Sequence, residues 1–288
     1  MPVVRSSGVR VHYESIGWDG RRPGDVPLLL HTGAGGDLQM WQEAGYVDGL
    51  LPRPLILMDH RGHGSSDRPS LISAHHIDQY VEDVVAVLDD VSAQTAVFIG
   101  YSDGAAIGLA FAAAFPTRAE VLIGLGAFGG EDETQADRRS QAEAFRTEGM
   151  QALVDSLVEE DPDPVPDWFA DQMRSTDPEM FALELDGWAD WAGPWSTLPS
   201  IVAPTLLIVG ELEDSNPGLS GIRATAMAAR LRNGRALELP ATGHVGLFTR
   251  TDLTLPAIRS FLEVLDRDAL AVEPTGSRGD HATLPDAD

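Results

Sequence analysis

One serine lies between two glycines in the segment Gly100-Tyr101-Ser102-Asp103-Gly104, where an apolar run changes into an alanine-rich one. The G-x-S-x-G pattern is typical of a sharp turn from a strand into a helix, because small flanking residues leave room for the serine. Such a turn exposes the hydroxyl above a helix N-terminus, which favours developing negative charge. Ser102 is therefore a candidate nucleophile, although a tight turn with any small polar residue would give the same pattern.

A serine nucleophile needs a base, and a histidine late in the chain has a suitable setting. His244 lies in the glycine-flanked segment LPATGHVGLF after the last predicted strand, from which a loop can reach over the sheet. We interpret His75, His76 and His281 as loop residues without a catalytic role. The chain order serine, acid, histidine favours His244 as the base.

The acid that would orient this imidazole should follow the preceding strand. The segment LLIVGELEDSNPG offers Glu211, Glu213 and Asp214 just past Gly210. Position favours Glu213, the third residue after the glycine, whereas residue type favours Asp214, since aspartate is the commoner acid. We keep both as candidates, with a slight preference for Asp214.

A tetrahedral intermediate also needs two backbone N–H donors, which form an oxyanion hole. Asp103 would supply one of them, and Gly33 or Ala34 in the glycine-rich segment LLLHTGAGGD would supply the other. The same segment, taken together with Asp59, superficially resembles a dinucleotide-binding fingerprint. Its third glycine position is held by Leu38, however, so that fingerprint is broken.

Two histidines in the segment MDHRGHGSSDRP, His60 and His63, are spaced like a pair of metal ligands. They lie in a glycine turn and not on a helix, and no further ligand is clustered with them in the sequence. We therefore predict no metal site and no cofactor. We interpret the segment as a loop that Arg61 and the glycines shape beside the oxyanion region.

The elements that must position these residues alternate between apolar runs and helical stripes. Continuous apolar runs are typical of strands that are buried on both faces. Their alternation with helices predicts an α/β fold with a mostly parallel sheet and helices on both faces. The predicted strands are 9–17, 27–31, 54–59, 96–100, 120–126, 203–210 and 235–240, and the predicted helices of this core are 76–91, 103–115, 221–233 and 255–268.

Residues 131–198 have an acidic sequence with a helical pattern and no strand pattern, and they contain four of the six tryptophans. We predict a helical cap insertion there, within a core made of residues 1–130 and 199–270. The polar segment 271–288 is predicted to be a disordered tail. Candidate pocket residues are Tyr101, Trp168, Trp188, Trp191 and Trp195, with packing of the cap as the alternative role of each tryptophan.

Composition excludes several classes of function. The 288 residues carry a net charge of −25, and all 20 basic residues are arginine, so nucleic acid and anionic membranes are not expected partners. The absence of cysteine excludes disulfides and a cysteine nucleophile. With no signal peptide evident, and no apolar stretch longer than that at 104–115, we expect a cytoplasmic monomer or homodimer that acts on a small molecule.

Taken together, five segments resemble the α/β-hydrolase superfamily over residues 9–266: LLLHTGAGG, DHRGHGSSDRP, GYSDGA, APTLLIVGELED and TGHVG, in that order. The resemblance implies an eight-stranded, mostly parallel sheet, a helical cap over the active site, and hydrolysis through an acyl-enzyme. His31-Thr32-Gly33 departs from the usual His-Gly start of the oxyanion loop. Serine at the elbow, in place of aspartate, argues against the epoxide hydrolase and haloalkane dehalogenase branches.

The sequence therefore predicts a serine hydrolase that cleaves an ester, a lactone or a related acyl bond of a small, apolar substrate with a Ser-His-Asp/Glu triad. The alternatives on the same fold are a carbon–carbon bond hydrolase and a cofactor-free perhydrolase. An alternative of another class is a ligand-binding receptor or pseudoenzyme without turnover, against which the intact Ser102 and His244 count.

Overall fold

The computed structural model describes residues 2–18, 25–126, 135–160, 164–215 and 221–272, and its strands form one eight-stranded sheet. The order across the sheet is β1-β2-β4-β3-β5-β6-β7-β8. The strands are Val3–Ser6 (β1), Val9–Ile16 (β2), Leu28–His31 (β3), Leu55–Met58 (β4), Ala96–Tyr101 (β5), Ala119–Leu125 (β6), Thr205–Gly210 (β7) and Gly234–Leu239 (β8).

The sheet is parallel from β4 to β8 and antiparallel only where β2 pairs with β1 and with β4. Every residue of β3, β4, β5 and β7 is buried, as the continuous apolar runs predict for central strands. The predicted fold class is confirmed. Strand β1 was not predicted, because four residues at a half-exposed edge carry too short a pattern to be recognised.

Helices cover both faces of the sheet. The core on one face includes residues of α3, α4 and α9, and the core on the other includes residues of α1, α2, α10 and α11. No helix in the described ranges is both long enough and apolar enough to cross a membrane. The helices are Gln39–Glu43 (α1), Tyr46–Leu50 (α2), Ile77–Asp90 (α3), Asp103–Ala114 (α4), Gln135–Glu148 (α5), Gln151–Glu160 (α6), Asp167–Ser175 (α7), Pro178–Trp188 (α8), Gly221–Arg230 (α9), His244–Thr249 (α10) and Thr251–Val272 (α11).

The chain between β6 and β7 contains α5 to α8 and no strand among its described residues, and we call this stretch the insertion. Helix α8 begins after Asp177, whose carboxylate accepts a hydrogen bond from the Glu179 N–H (3.0 Å) and which is followed by a proline at the first helical position. At the other end of the chain, α11 extends to Val272. The remaining residues of the predicted tail, 273–288, lie outside the described residues.

The loop that follows β4 is held by a buried ion pair. The guanidinium of Arg61 donates to both carboxylate oxygens of Asp83 on α3, at 2.8 and 2.5 Å. It also donates to the carbonyl oxygens of Ala74 (2.7 Å) and Gln79 (3.0 Å). Both charged side chains are fully buried, so burial raises the pKa of Asp83 while Arg61 lowers it. The paired fork geometry fixes the loop against α3, in line with the interpretation of Arg61 from the sequence.

We expect Asp83→Asn to lower the free energy of unfolding by about 3–5 kcal/mol, because it leaves the Arg61 charge buried and uncompensated. The matched control is Asp89→Asn, which breaks the more exposed pair with Arg118 and should cost about 1 kcal/mol or less. Urea unfolding of the three proteins measures both losses. Equal losses in the two variants would contradict a stabilising role for the buried pair.

Candidate active site

Ser102 stands between β5 and α4 in a backbone conformation that is uncommon for a residue with a side chain, with φ of 56° and ψ of −122°. Its N–H donates to the carbonyl oxygen of Leu125 at 2.8 Å. A Cβ on Gly100 would lie 2.3 Å from the Gly104 carbonyl oxygen, and one on Gly104 would lie 2.3 Å from that of His31. Both glycines are therefore required by the close approach of the backbone.

Ser102, His244 and Glu213 form a chain of hydrogen bonds. The Nε2 of His244 lies 3.1 Å from the Ser102 Oγ, and its Nδ1 lies 2.6 Å from the Oε1 of Glu213. The other carboxylate oxygen of Glu213 accepts the N–H of Gly210 at 2.7 Å. A carboxylate at Nδ1 holds the proton there and leaves the lone pair of Nε2 directed at the hydroxyl.

Of the two candidate acids, Glu213 makes the contact with His244. Both candidates follow β7 in a 3₁₀ turn over Glu211–Ser215, which returns the third residue after Gly210 to the sheet edge. The side chain of Asp214 lies outside the described residues. The slight preference for Asp214 rested on residue type, whereas position in the turn decides which carboxylate meets the imidazole.

The imidazole of His244 is held from two further sides. The ring of Tyr101 stacks on it with a centroid distance of 5.1 Å, and the Tyr101 hydroxyl donates to the His244 carbonyl oxygen at 3.1 Å. Gly126, at the end of β6, has φ of 60°, and a Cβ there would lie 2.8 Å from the imidazole Cε1. The rotamer of His244 therefore depends on a stacked ring and on the absence of a side chain at residue 126.

Two of the three residues predicted to form the oxyanion hole adjoin Ser102, namely Asp103 in the chain and Gly33 in space. Asp103 is the first residue of α4. A Cβ on Gly33 would lie 2.6 Å from the Ser102 Cβ and 3.2 Å from its Oγ, so Gly33 packs directly against the serine. Strands β3 and β5 are neighbours at which the strand order reverses, where an α/β sheet opens a binding crevice.

Asp59, which belongs to the superficial dinucleotide-binding pattern of the sequence, joins three segments of the core. Its carboxylate accepts hydrogen bonds from His12 Nδ1 (2.7 Å), Leu38 N (2.8 Å) and Ser65 N (2.9 Å). Two of these donors lie in the loops that follow β3 and β4. Asp59 therefore connects the loop after β3 to the loop after β4.

Trp168 of α7 lies on the side of the sheet where Tyr101 is packed. It is half-buried, edge-on to Phe169 at 5.7 Å and 6.5 Å from Phe248. Phe248 in turn lies 4.6 Å from the ring of Tyr101. Aromatic contacts thus connect this tryptophan to the ring that stacks on His244.

The other three tryptophans of the predicted pocket pack against the core on the opposite face of the sheet. Trp188 meets Tyr80 edge-on at 5.7 Å. The guanidinium of Arg138 lies over Trp191 at 5.9 Å, and that of Arg230 lies over Trp195 at 5.2 Å. These contacts fit the packing role that was the alternative for each residue.

A buried cluster joins the insertion to the loop after β4. His60, His63 and Glu184 of α8 have potential ligand atoms within 4.8 Å of one another, and each residue is at most 3% exposed. The sequence analysis found no partner for the two histidines, because Glu184 is brought to them only by the tertiary fold. Burial raises the pKa of Glu184 to about 7 and lowers that of His60 to about 3.

Only two members of this cluster have unused lone pairs. Both ring nitrogens of His60 and both carboxylate oxygens of Glu184 have no hydrogen-bond partner in the described residues. In His63, Nε2 lies 3.0 Å from the Gly35 amide nitrogen and Nδ1 lies 3.3 Å from the Arg61 carbonyl oxygen. Structural and catalytic zinc centres use three or more protein ligands, so the cluster fits a metal ion poorly.

His75 was interpreted from the sequence as a loop residue without a catalytic role, and the structure shows it packed beneath the insertion. It is fully buried, with Nδ1 3.0 Å from the Tyr80 hydroxyl and Nε2 2.8 Å from the Pro69 carbonyl oxygen. Its exposure could not be judged from the sequence, because α8 of the insertion covers it: a Cβ on Gly187 would lie 2.3 Å from the His75 carbonyl oxygen.

Comparison with known proteins shows which family the chain resembles. A family model described as "Alpha/beta hydrolase family" matches residues 28–257. A Bacillus subtilis (strain 168) protein with the provisional name 2-succinyl-6-hydroxy-2,4-cyclohexadiene-1-carboxylate synthase is 26% identical over 74% of this chain and 81% of its own length.

Two solved structures have the same fold. A thermophilic esterase from Thermogutta terrifontis superposes with a TM-score of 0.78 and 22% identity, over 92% of this chain and 98% of its own. An enol-lactonase from Burkholderia xenovorans LB400 superposes with a TM-score of 0.73 and 26% identity, over 91% of this chain and all of its own.

We expect Gly126→Ala to slow the reaction of Ser102 with a fluorophosphonate probe by about 10- to 100-fold, because the new methyl group displaces the imidazole. Gly149→Ala is the control, since its φ of 72° is also positive but a Cβ there would meet nothing within 4 Å. Both variants carry about 1–2 kcal/mol of backbone strain. Labelling that is slowed equally in both would show that strain, and not the position of His244, governs reactivity.

Proposed function

The chain belongs to the alpha/beta hydrolase family, and on that premise we propose that it is a serine hydrolase that cleaves an ester, a lactone or a related acyl bond. The observation that carries the proposal is the hydrogen-bond chain from the Ser102 Oγ through His244 to the buried carboxylate of Glu213, at 3.1 and 2.6 Å. A hydroxyl, a base and an orienting acid in this geometry are what nucleophilic acyl transfer requires.

In the first half of the proposed reaction, the Ser102 Oγ attacks the acyl carbon while His244 Nε2 accepts the hydroxyl proton. The carboxylate of Glu213 stabilises the imidazolium that forms. The backbone N–H groups of Asp103 and of Gly33 or Ala34 stabilise the negative oxygen of the tetrahedral intermediate. Collapse of this intermediate breaks the bond to the leaving oxygen, which takes the proton from His244.

In the second half, water attacks the acyl-enzyme. His244 accepts a proton from the water, and the same N–H groups stabilise the second tetrahedral intermediate. Its collapse returns the proton to the Ser102 Oγ and releases the carboxylic acid. A lactone would give a single product that carries both the acid and the hydroxyl group, whereas an ester would give two products.

The surroundings of His244 support a small substrate with an apolar group. The buried rings of Tyr101 and Phe248 and the half-buried ring of Trp168 are in contact with one another from the imidazole to α7 of the insertion, so this side of the site is apolar. We also propose that residues 131–198 act as a cap domain on a core of residues 1–130 and 199–270. The similarity to an enol-lactonase, at 26% identity, supports lactones beside esters as the substrate class.

Carbon–carbon bond chemistry is the second candidate. It is favoured by the similarity to the Bacillus subtilis protein, whose provisional name denotes synthesis of a cyclohexadiene carboxylate. The same His244 and Ser102 would then transfer a proton between oxygen and a carbon leaving group. A receptor or pseudoenzyme without turnover is less well supported, because it would not need the intact relay from Ser102 to Glu213.

We expect a fluorophosphonate to label the wild-type protein at Ser102 and to leave Ser102→Ala unlabelled. Wild type should hydrolyse p-nitrophenyl acetate or a five-membered lactone, and His244→Ala should lower kcat by about 10⁴-fold or more, since the base is lost. Mass spectrometry locates the label, and a pH-stat follows acid release. A label elsewhere than on Ser102, or hydrolysis by Ser102→Ala, would overturn the proposal.

We expect Glu213→Gln to lower kcat by about 10³- to 10⁴-fold, because an amide can hold the imidazole in the wrong tautomer. Asp214→Asn is the matched control, one residue further along the same turn, and should change kcat by less than about threefold. Steady-state kinetics on the same ester distinguishes them. A large loss in Asp214→Asn alone would transfer the acid role to Asp214.

A further inference from the structure

Three parts of the molecule meet at the backbone N–H and carbonyl groups of Gly35, in the oxyanion loop. Its N–H donates to Nε2 of His63, in the loop after β4, at 3.0 Å. Its carbonyl oxygen accepts hydrogen bonds from Thr176 Oγ1 at 2.7 Å and from Gln172 Nε2 at 3.2 Å, both from the insertion. The φ of Gly35 is 76°, a conformation that residues with a side chain rarely adopt.

Gly35 is linked to Ser102 through Gly33, which lies two residues earlier in the same loop. The N–H of Gly36 donates to the carbonyl oxygen of Gly33 at 3.1 Å, so the loop from Gly33 to Gly36 is one tight turn. Gly33 in turn packs directly against Ser102, since a Cβ at Gly33 would lie 2.6 Å from the Ser102 Cβ. A shift of the Gly35 backbone would therefore also move Gly33 and Ala34, the proposed oxyanion donors of this loop.

His63 can accept the hydrogen bond from the Gly35 N–H only as a neutral imidazole in one of its two tautomers. Because Nε2 accepts a hydrogen bond, the proton must be on Nδ1, which lies 3.3 Å from the carbonyl oxygen of Arg61. Burial, followed by the neighbouring His60, lowers the pKa of His63 to about 3. The ring therefore stays neutral, and the acceptor persists, at neutral and mildly acidic pH.

The buried setting makes this hydrogen bond costly to lose. His63 is 3% exposed and Gly35 is buried, so bulk water has little access to this hydrogen bond. A buried N–H without a partner costs about 1–3 kcal/mol. The loop can recover that cost only by turning the peptide toward another acceptor, and this turn would displace the residues at 33 and 34.

We propose that His63 is a positioning residue of the oxyanion loop, acting through the Gly35 N–H from outside the catalytic triad. The proposal rests on the proposed function for its effect on catalysis, but its effect on the loop is independent of any reaction. In the free protein Gly33 of this loop already lies against Ser102. Such preorganisation lowers the barrier without tightening substrate binding, because the negative charge exists only in the transition state.

The test compares His63→Leu, which removes the acceptor, with His63→Gln, whose amide oxygen can accept where Nε2 did. We expect His63→Leu to lower kcat for p-nitrophenyl acetate by about 10- to 100-fold with KM within about twofold of wild type. His63→Gln should recover kcat to within about fivefold. The control is His75→Leu, which removes another fully buried histidine that contacts Tyr80 and Pro69.

Amide hydrogen exchange of the peptide 32–38 provides a readout without catalysis. We expect exchange to be about tenfold faster in His63→Leu and unchanged in His63→Gln and His75→Leu. Should His63→Leu not fold, ¹⁵N spectra of histidine-labelled wild type still decide, since the His63 signal, assigned by its loss in His63→Gln, must show the neutral Nδ1–H tautomer. An Nε2–H tautomer would overturn the proposal.

Failure of this inference differs from failure of the proposed function. A wild-type protein that hydrolyses no ester or lactone would contradict the hydrolase proposal, and the exchange experiment would then decide the role of His63 alone. With an active wild type, equal losses of kcat in His63→Leu and His75→Leu would mean that His63 is merely structural. A kcat in His63→Gln as low as in His63→Leu would likewise overturn its role as an acceptor.

Discussion

The site depends on the close approach of two backbone segments, the turn after β5 and the loop after β3. Gly104 lies so near the carbonyl oxygens of His31 and Thr32 that a Cβ would meet them at 2.3 and 2.6 Å. Gly33 lies equally close to Ser102. No side chain fits between the segments at these glycines, so the proposed nucleophile and the loop of its proposed oxyanion donors are in direct contact. Everything else in the site is placed relative to this contact.

The parallel sheet then supplies one functional position from each of four neighbouring strands. Ser102 follows β5, Gly126 follows β6, Glu213 follows β7 and His244 follows β8. Because parallel strands about 4.8 Å apart end at the same edge, residues far apart in the chain meet within hydrogen-bonding distance there. The edge strand β8 is largely exposed, yet its following loop provides the imidazole, which Tyr101 secures by stacking.

The features that depend on local residue patterns could be predicted from the sequence. The central strands are continuous apolar runs, and Ser102 and His244 stand in glycine-rich segments whose order along the chain is informative. It did not decide between Glu213 and Asp214, because the choice depends on how a 3₁₀ turn returns the chain. Nor did it predict that Glu184 lies beside His60, since an insertion helix and a core loop become neighbours only through tertiary packing.

Gly126 lies at the boundary between the sheet and the insertion, directly after β6. Its N–H is bound to the carbonyl oxygen of Ile208 at 2.8 Å, and its missing side chain leaves the space that His244 occupies. The insertion begins beyond this residue and returns before β7. A different insertion joined between Gly126 and β7 would therefore leave the hydrogen bonds among Ser102, His244 and Glu213 in place. It would, however, have to supply its own donors to the Gly35 carbonyl oxygen, which Thr176 and Gln172 now provide.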